Sequence, residues 1–194
     1  QTTGGPNVAI GQNALAACTP VWGNTVVGYY AGNATTTGAY NTVMGNEALE
    51  ANTTGSSNVA IGMRALEANT TASNNTALGY EALKINTTGT NNTAVGHDAL
   101  KALTTNSYCT AVGDFALATN TSQYMAAFGA QALGDNTTGT ENTALGFRAL
   151  RLNTTGSKNT AVGVDALYTQ TTSNNNTAVG YVVLRLNTTG ADNT

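Results

Sequence analysis

The chain contains little charge. Only 9% of its 194 residues are Asp, Glu, Lys or Arg, against about 25% in a typical soluble domain. The net charge is −3, and the seven basic residues form no stripe that could neutralise a row of phosphates. The composition therefore argues against nucleic-acid binding.

Long apolar runs are also missing. No stretch approaches the roughly 18 apolar residues of a membrane span. The first six residues, Gln-Thr-Thr-Gly-Gly-Pro, lack the charged and apolar regions of a signal peptide. We therefore predict no membrane span. Both a mature chain after signal removal and an internal fragment would look like this.

Residue types that carry chemistry are scarce. The only histidine is His97. It is the sixth residue of the 17-residue repeat unit described below, and other units have Met63 or Tyr80 at this variable position. A repeated metal site would need Asp or His at a repeated place, but the acidic residues are interspersed with Lys and Arg. Neither a glycine-rich Ca²⁺-binding array nor a phosphate-binding loop occurs. The sequence predicts no enzyme, no cofactor and no metal.

What the chain does contain is a 17-residue unit repeated eleven times between Asn7 and Asp192, Asn-Thr-Ala-Val-Gly-x-x-Ala-Leu-x-x-Asn-Thr-Thr-Gly-x-x. A glycine is fifth in every unit, and successive glycines are 17 residues apart except for the 16 between Gly113 and Gly129. A short fixed period indicates a solenoid. The whole chain, 1–194, is thus one array without capping units. Its units begin at Asn7, Asn24, Asn41, Asn58, Asn75, Asn92, Cys109, Met125, Asn142, Asn159 and Asn176.

The pattern within a unit predicts an all-β fold, a parallel β-solenoid (β-helix or β-roll) of eleven coils. We number the places of a unit from 1 to 17, beginning at its first residue. Places 1–4 favour a short strand, and the glycine at place 5 allows a corner. The Ala-Leu segment at places 8 and 9 fits a second strand or one helical turn, and we favour the second strand or an extended segment. Asn-Thr-Thr-Gly at places 12–15 is typical of a turn.

Stacking of coils about 4.8 Å apart predicts a rod roughly 50 Å long with like residues in columns. The place 9 leucines form one column and the place 12 asparagines another. Charges concentrate at places 7, 10 and 17, so we expect those columns to face solvent. The separation of Cys18 and Cys109 by six coils, on the order of 28 Å, excludes an intrachain disulfide. Each is free and buried, or pairs with another chain.

The place 12 asparagines allow two interpretations. Each lies in an Asn-x-Ser/Thr sequon and could carry a glycan or contact a ligand. Stacked amides could instead hydrogen-bond along the axis, and we favour this ladder. The threonines that follow could carry O-linked sugars. The place 12 sequons are at Asn52, Asn69, Asn86, Asn120, Asn136, Asn153 and Asn187.

The first two units are the least regular and the richest in aromatic residues. Trp22 lies where other units have their turn, and Tyr29, Tyr30 and Tyr40 follow. These side chains form either a contact surface for a partner subunit or a sugar, or simply an irregular end coil.

Two motifs carry a family resemblance. The segments from Asn92 to Gly96 (Asn-Thr-Ala-Val-Gly) and from Asn58 to Gly62 (Asn-Val-Ala-Ile-Gly) resemble the head repeats of trimeric autotransporter adhesins. The whole array more closely resembles the Asn-Thr-Ala-x-Gly…Ala-Leu…Asn-Thr-Thr-Gly repeats of phage tail fibres and bacterial surface proteins. The resemblance implies an extracellular, elongated, often trimeric β-structure that serves as a shaft or an adhesive surface.

The ends of the array suggest how it is used. Both termini are in phase with the repeat, and an uncapped strand edge is a template for another chain. We therefore expect the subunit or shaft segment of an extracellular filament, with other copies of the chain as partners. The alternative is an adhesin or carbohydrate-binding surface. A third interpretation, ice binding, is suggested by the recurrent threonine pairs, of which one column could face ice.

Overall fold

The computed structural model describes residues 5–194 and consists of one parallel sheet in which eleven strands lie in sequence order. Each strand has three residues and is supplied by one unit. The strands are β1 (Val8–Ile10), β2 (Thr25–Val27), β3 (Thr42–Met44), β4 (Val59–Ile61), β5 (Thr76–Leu78), β6 (Thr93–Val95), β7 (Thr110–Val112), β8 (Ala126–Phe128), β9 (Thr143–Leu145), β10 (Thr160–Val162) and β11 (Thr177–Val179).

Pairing keeps like places together, which confirms the β-solenoid. Ala60, at place 3 of its unit, is opposite Ala77 in the next coil, and the pattern holds along the rod. It also holds across the 16-residue unit, where Val112 is opposite Phe128. The missing residue is therefore absorbed outside the strand.

The turn absorbs that missing residue. In a 17-residue unit the place 12 amide donates to the carbonyl three residues later, as Asn136 does to Gly139. In the short unit Asn120 donates to Ser122, only two residues later. Ser122 thus takes the place 15 role, and one turn residue is omitted without disturbing the coils above and below.

Glycine at place 5 is required by both conformation and space. Gly62 has φ +129°, a region that side chains with a Cβ rarely adopt, and a Cβ there would collide with the backbone carbonyl of Gly79 in the next coil. The fifth-place glycines lie one on another along the rod, so the predicted corner is also the point of closest contact between coils.

The Ala-Leu segment forms neither the second strand that the sequence favoured nor the helical turn that it also fitted. No helix occurs between residues 5 and 194, and places 6–11 form consecutive turns rather than a second strand. Arg64 and Leu66 both have positive φ, at 58° and 52°. The backbone N–H of Leu66 bonds to Ala82 in the next coil, whereas that of Arg64 bonds to Asn46 in the previous one. Backbone polar groups are therefore satisfied between coils, which removes the need for a strand.

The core is a double column of small and medium apolar side chains. The place 8 alanines and place 9 leucines are fully buried in the interior coils, as Ala65 and Leu66 are, and the place 3 residues face them from the sheet. Each coil encloses too little space for a core of its own, so its apolar side chains are covered mainly by the coils on either side.

Candidate functional site

A buried amide ladder runs along place 12, as the preferred interpretation of these asparagines predicted. Asn69 donates from Nδ2 to Oδ1 of Asn52 at 2.8 Å, and Asn86 donates in the same way to Asn69 at 3.2 Å. A second ladder segment joins Asn120, Asn136 and Asn153. Each of these amides also donates to a turn carbonyl of its own coil. The ladder therefore links the turn of each of these coils to the neighbouring coil.

Because they form this ladder, the asparagines predicted as glycosylation sites lie inside the rod. Six of the seven place 12 sequon asparagines have fully buried side chains, and the seventh, Asn187, is half-buried in the last unit. A glycan on Nδ2 would displace at least one of the amide's hydrogen bonds and has no room in the interior. Folded coils therefore leave no access to Asn52, Asn69, Asn86, Asn120, Asn136 or Asn153.

A second ladder, at place 1, was missed by the sequence analysis. Asn41 accepts at Oδ1 the backbone N–H of Asn58 at 2.9 Å and donates from Nδ2 to the carbonyl of Gly55. The signal was visible, since nine of the eleven units begin with Asn. Cys109 and Met125 interrupt this ladder. The Cys109 thiol contacts the carbonyl of Ser122 at 3.2 Å instead, and burial raises the pKa of that thiol to about 11.

The two threonines of each turn have different roles. At place 13 the hydroxyl of Thr53 donates to the carbonyl of Thr70 in the next coil at 3.0 Å, and Thr70 repeats this contact to Thr87. At place 14 the side chains, such as Thr54 and Thr71, are exposed. Of the two threonine columns, only the one at place 14 is exposed for ice binding or O-glycosylation, and both functions stay predictions.

The four aromatic residues predicted as a contact surface do not form one patch. Trp22 precedes β2 and packs its ring against Gly5, and Tyr40 precedes β3 and lies beside Gly23. Tyr29 and Tyr30 follow β2, with ring centroids 4.6 Å apart. The structure therefore brings them together only as two groups, one at each end of the strand segment.

The charged columns are less exposed than we predicted. Glu81 is only 5% exposed and accepts hydrogen bonds from Lys84 and Lys101, each at 2.7 Å. These two contacts, with Lys101 first, lower the pKa of Glu81 to about 2. Asp98 and Asp165 are also buried beside cations. The prediction that these columns face solvent is wrong for these three, because the long Lys and Arg side chains lie over them.

Three carboxylates meet beside this network. Atoms of Glu47, Glu50 and Glu67 lie within 4.8 Å of one another. Burial, and then the charges of Glu47 and Glu67, raise the pKa of Glu50. Arg64 balances part of this charge through a 2.7 Å contact with Glu47. Among the described residues, these three half-buried carboxylates form the group whose oxygens lie close enough together to hold a cation.

A shallow pocket of about 310 Å³ lies beside the short unit. It exists because Ala118 and Gly134 occupy place 10, where six other coils have Glu, Lys or Arg. Arg151 and Asp135 face each other across it at 3.8 Å, and Phe115 forms its aromatic wall. Its full lining is Phe115, Ala118, Thr119, Gln131, Gly134, Asp135 and Arg151.

The lone histidine is part of a surface stack. His97 lies 3.0 Å from the carboxylate of Asp114, stacked on the Tyr80 ring at 5.3 Å and edge-on to Phe115 at 4.8 Å. These contacts hold the ring on the outside of the rod.

The comparisons with known proteins add no family. No family model matches the chain, and no curated protein or solved structure matches it either. Among residues 5–194, no helix has the length and apolar character needed to cross a membrane. The functional interpretation therefore depends on the repeated cross-section, its ends and its outer faces.

Proposed function

We propose that this chain is a structural segment of an extracellular filament or fibre, in which coils of successive copies stack end to end. The observation that carries the proposal is the uniform stacking of the coils: the strands pair in sequence order, and the interior members of the place 9 column, such as Leu167, are fully buried by the coils on either side. A coil of another copy would cover Leu184 as the last coil covers Leu167.

The backbone supports the same continuation. Every strand from β2 to β10 pairs in parallel with one strand on each side. A strand edge that is open is a template for another parallel strand. The two edges of each strand are complementary because every coil has the same register, and a head-to-tail contact that does not close on itself produces a filament.

The interior suits a role under tension. Each coil is joined to its neighbours by strand pairing, by turn-to-turn backbone bonds and by the two amide ladders. These bonds run along the rod, so tension along the axis is shared among all of them. The extracellular location is part of the proposal and is supported by the resemblance to fibre and surface-protein repeats.

The test is electron microscopy of the full chain and two glutamate variants. Leu184→Glu places a charge on the open end, whereas Thr189→Glu places the same charge on the exposed side of the same coil. We expect the parent chain and Thr189→Glu to form filaments many times longer than the ~50 Å rod expected from strand spacing. Leu184→Glu should form single rods. Single rods from the parent chain at high concentration, or equal polymerisation of both variants, would refute the proposal.

An adhesive surface is the second candidate, and one pair of residues favours it. Tyr108 and Tyr124 are both more than half exposed, and their rings stack at 5.8 Å with planes only 10° apart. Such a flat exposed aromatic surface suits the apolar face of a sugar ring. Saturable glycan binding that is lost in Tyr108→Ala and Tyr124→Ala, with the rod intact, would support this function.

A further inference from the structure

The outward-facing residues at place 4 are apolar in every unit. Alternation along the three-residue strand puts place 3 in the core and places 2 and 4 outside, so that Val43 is buried while Met44 is 53% exposed. We call the place 4 column the outer stripe. It comprises Ile10, Val27, Met44, Ile61, Leu78, Val95, Val112, Phe128, Leu145, Val162 and Val179.

The fold by itself does not explain this composition. Strand propensity favours Val and Ile, but it favours Thr as well and does not select Met44, Leu78 or Leu145. Threonine occupies place 2, on the same outer face, in eight units and never occupies place 4. Place 6 is exposed too and accepts Asn46 and Asp114. Only the outer stripe is both exposed and without a polar residue.

The outer stripe is large enough to be an interface. Its members lie in register from β1 to β11, so it is continuous along the rod. The eleven partly exposed side chains leave on the order of 800 Å² of apolar surface open, which is about one partner's share of a standard protein interface. A continuous patch of this size on a single protein marks an interaction site.

We propose that the outer stripe packs against the outer stripe of a second copy of this chain, so that two rods lie side by side with their sheets face to face. This inference rests on the proposed fibre function and adds its lateral contact. A second copy fits because it has the same spacing, about 4.8 Å between coils, so that all eleven side chains can be matched at once. A partner without this period would meet only a few of them.

Charge does not oppose the pairing. Places 2 and 4 contain no charged residue in any unit. The ion pairs of Glu81 and Asp165 lie at place 7, beyond the glycine corner. Packed sheets lie about 10 Å apart, and aligned sheets are the common arrangement when two such faces meet. A two-fold axis between the rods would let each copy use the same surface.

The experiment separates lateral from axial contacts. In a Leu184→Glu background, which blocks end-to-end growth if the fibre proposal is right, sedimentation equilibrium measures the association that remains. The test variant adds Leu78→Lys and Leu145→Lys on the outer stripe. The matched control adds Thr88→Lys and Thr155→Lys, which place the same charges in the same two units at the exposed place 14. Circular dichroism checks that each variant is folded.

We expect the background chain to sediment at twice its mass. The dissociation constant of the dimer should be at least 100-fold higher in the outer-stripe variant. In the control, it should stay within threefold of the value for the background chain. A monomeric background chain at about 100 µM, or an equal loss in the control, would overturn the inference. Electron microscopy of the parent chain, with Leu184 unchanged, distinguishes end-to-end stacking from lateral pairing. Long filaments one rod wide would retain the fibre and reject the pairing, and paired short rods would do the reverse.

Discussion

Asn69 donates its side-chain amide to Oδ1 of Asn52, 2.8 Å away in the neighbouring coil, with both side chains completely buried. Each amide is thus a donor to one coil and an acceptor from the other. In the sequence, the same residues match the pattern of glycosylation sites. Their burial shows that the repeated Asn-Thr-Thr serves the interior of the rod.

Removing one ladder amide should weaken the rod. Asn69→Leu would leave Oδ1 of Asn52 without a donor, as Oδ1 of Asn86 already is because Leu103 lies next in the column. An unsatisfied buried acceptor costs about 1–3 kcal/mol, so we expect the free energy of unfolding to fall by about that amount. Chemical denaturation measures it. Thr71→Leu in the same turn, where the side chain is exposed, is the control and should change stability by under about 0.5 kcal/mol. Equal stability of the two variants would show that the ladder contributes nothing.

The corner glycine should tolerate no side chain. Gly62→Ala would force a Cβ into the carbonyl of Gly79 in a conformation reserved for glycine, and we expect a loss of about 3 kcal/mol or more. Gly134→Ala is the control. Its φ is not positive, and other units have long side chains at the same place. Thermal unfolding of both variants checks this, and a small effect at Gly62 would mean that the corner is more open than described.

Left-handed positions on the surface should prefer glycine. Lys158 is exposed with φ 60°, and Thr155 in the same coil is exposed without a positive φ. The left-handed conformation costs a residue with a Cβ about 1–2 kcal/mol. Lys158→Gly should therefore stabilise the rod by up to about 1 kcal/mol after the entropic cost of glycine. Thr155→Gly should destabilise it by about 0.5–1 kcal/mol. Opposite signs in chemical denaturation are the expected result, and a loss of stability in both would contradict it.

Acid should weaken the Glu81 ion pairs. Lys101 and Lys84 hold the pKa of Glu81 at about 2, below its ordinary 4.5. A carboxyl with a lowered folded pKa contributes stability that is complete above 4.5 and is lost as the pH falls toward 2. We expect the melting temperature to fall over this interval and to fall less steeply in Glu81→Gln. Glu141→Gln, at an exposed place without an ion pair among the described residues, should follow the parent chain. Parallel curves for all three proteins would reject this role for Glu81.

Repairing the place 1 ladder should stabilise the rod. An asparagine in place of Cys109 would offer Oδ1 to the backbone of Met125 and Nδ2 to the carbonyl of Ser122, as asparagine does at place 1 of other coils. We expect Cys109→Asn to raise the free energy of unfolding by about 1 kcal/mol, the contribution of a typical hydrogen bond. Cys109→Ala, which cannot make these bonds, should lower it. Chemical denaturation that ranks alanine at or above asparagine would contradict the ladder.

The sequence predicted the features that depend on the period. The invariant glycines set the register, so the stacking of Leu66 on Leu83 and of Asn69 on Asn52 could be inferred directly. The sheet and the buried leucines were confirmed for the same reason, and no disulfide joins Cys18, which is half-buried, to the buried Cys109. A fixed period determines which residues are neighbours along the axis, whatever the shape of the coil.

The shape of the coil could not be predicted. Ten leucines at place 9 have positive φ, as Leu66 does at 52°, although bulky residues disfavour this conformation. Bonds between coils stabilise it, and local propensity contains no information about them. The burial of Glu81 was missed because it depends on Lys84 and Lys101 lying over it. The exposure of the outer stripe was not visible because a three-residue strand does not show which of its faces is covered.

Cryo-electron microscopy of the full chain tests the central claim most directly, namely that the coil stack continues from the last coil into a further one. We expect filaments with an axial repeat near 4.8 Å and native coils stacked without a gap, so that Leu184 is as buried as Leu167. Separate rods with Leu184 exposed to solvent, or filaments joined through another surface, would contradict the account.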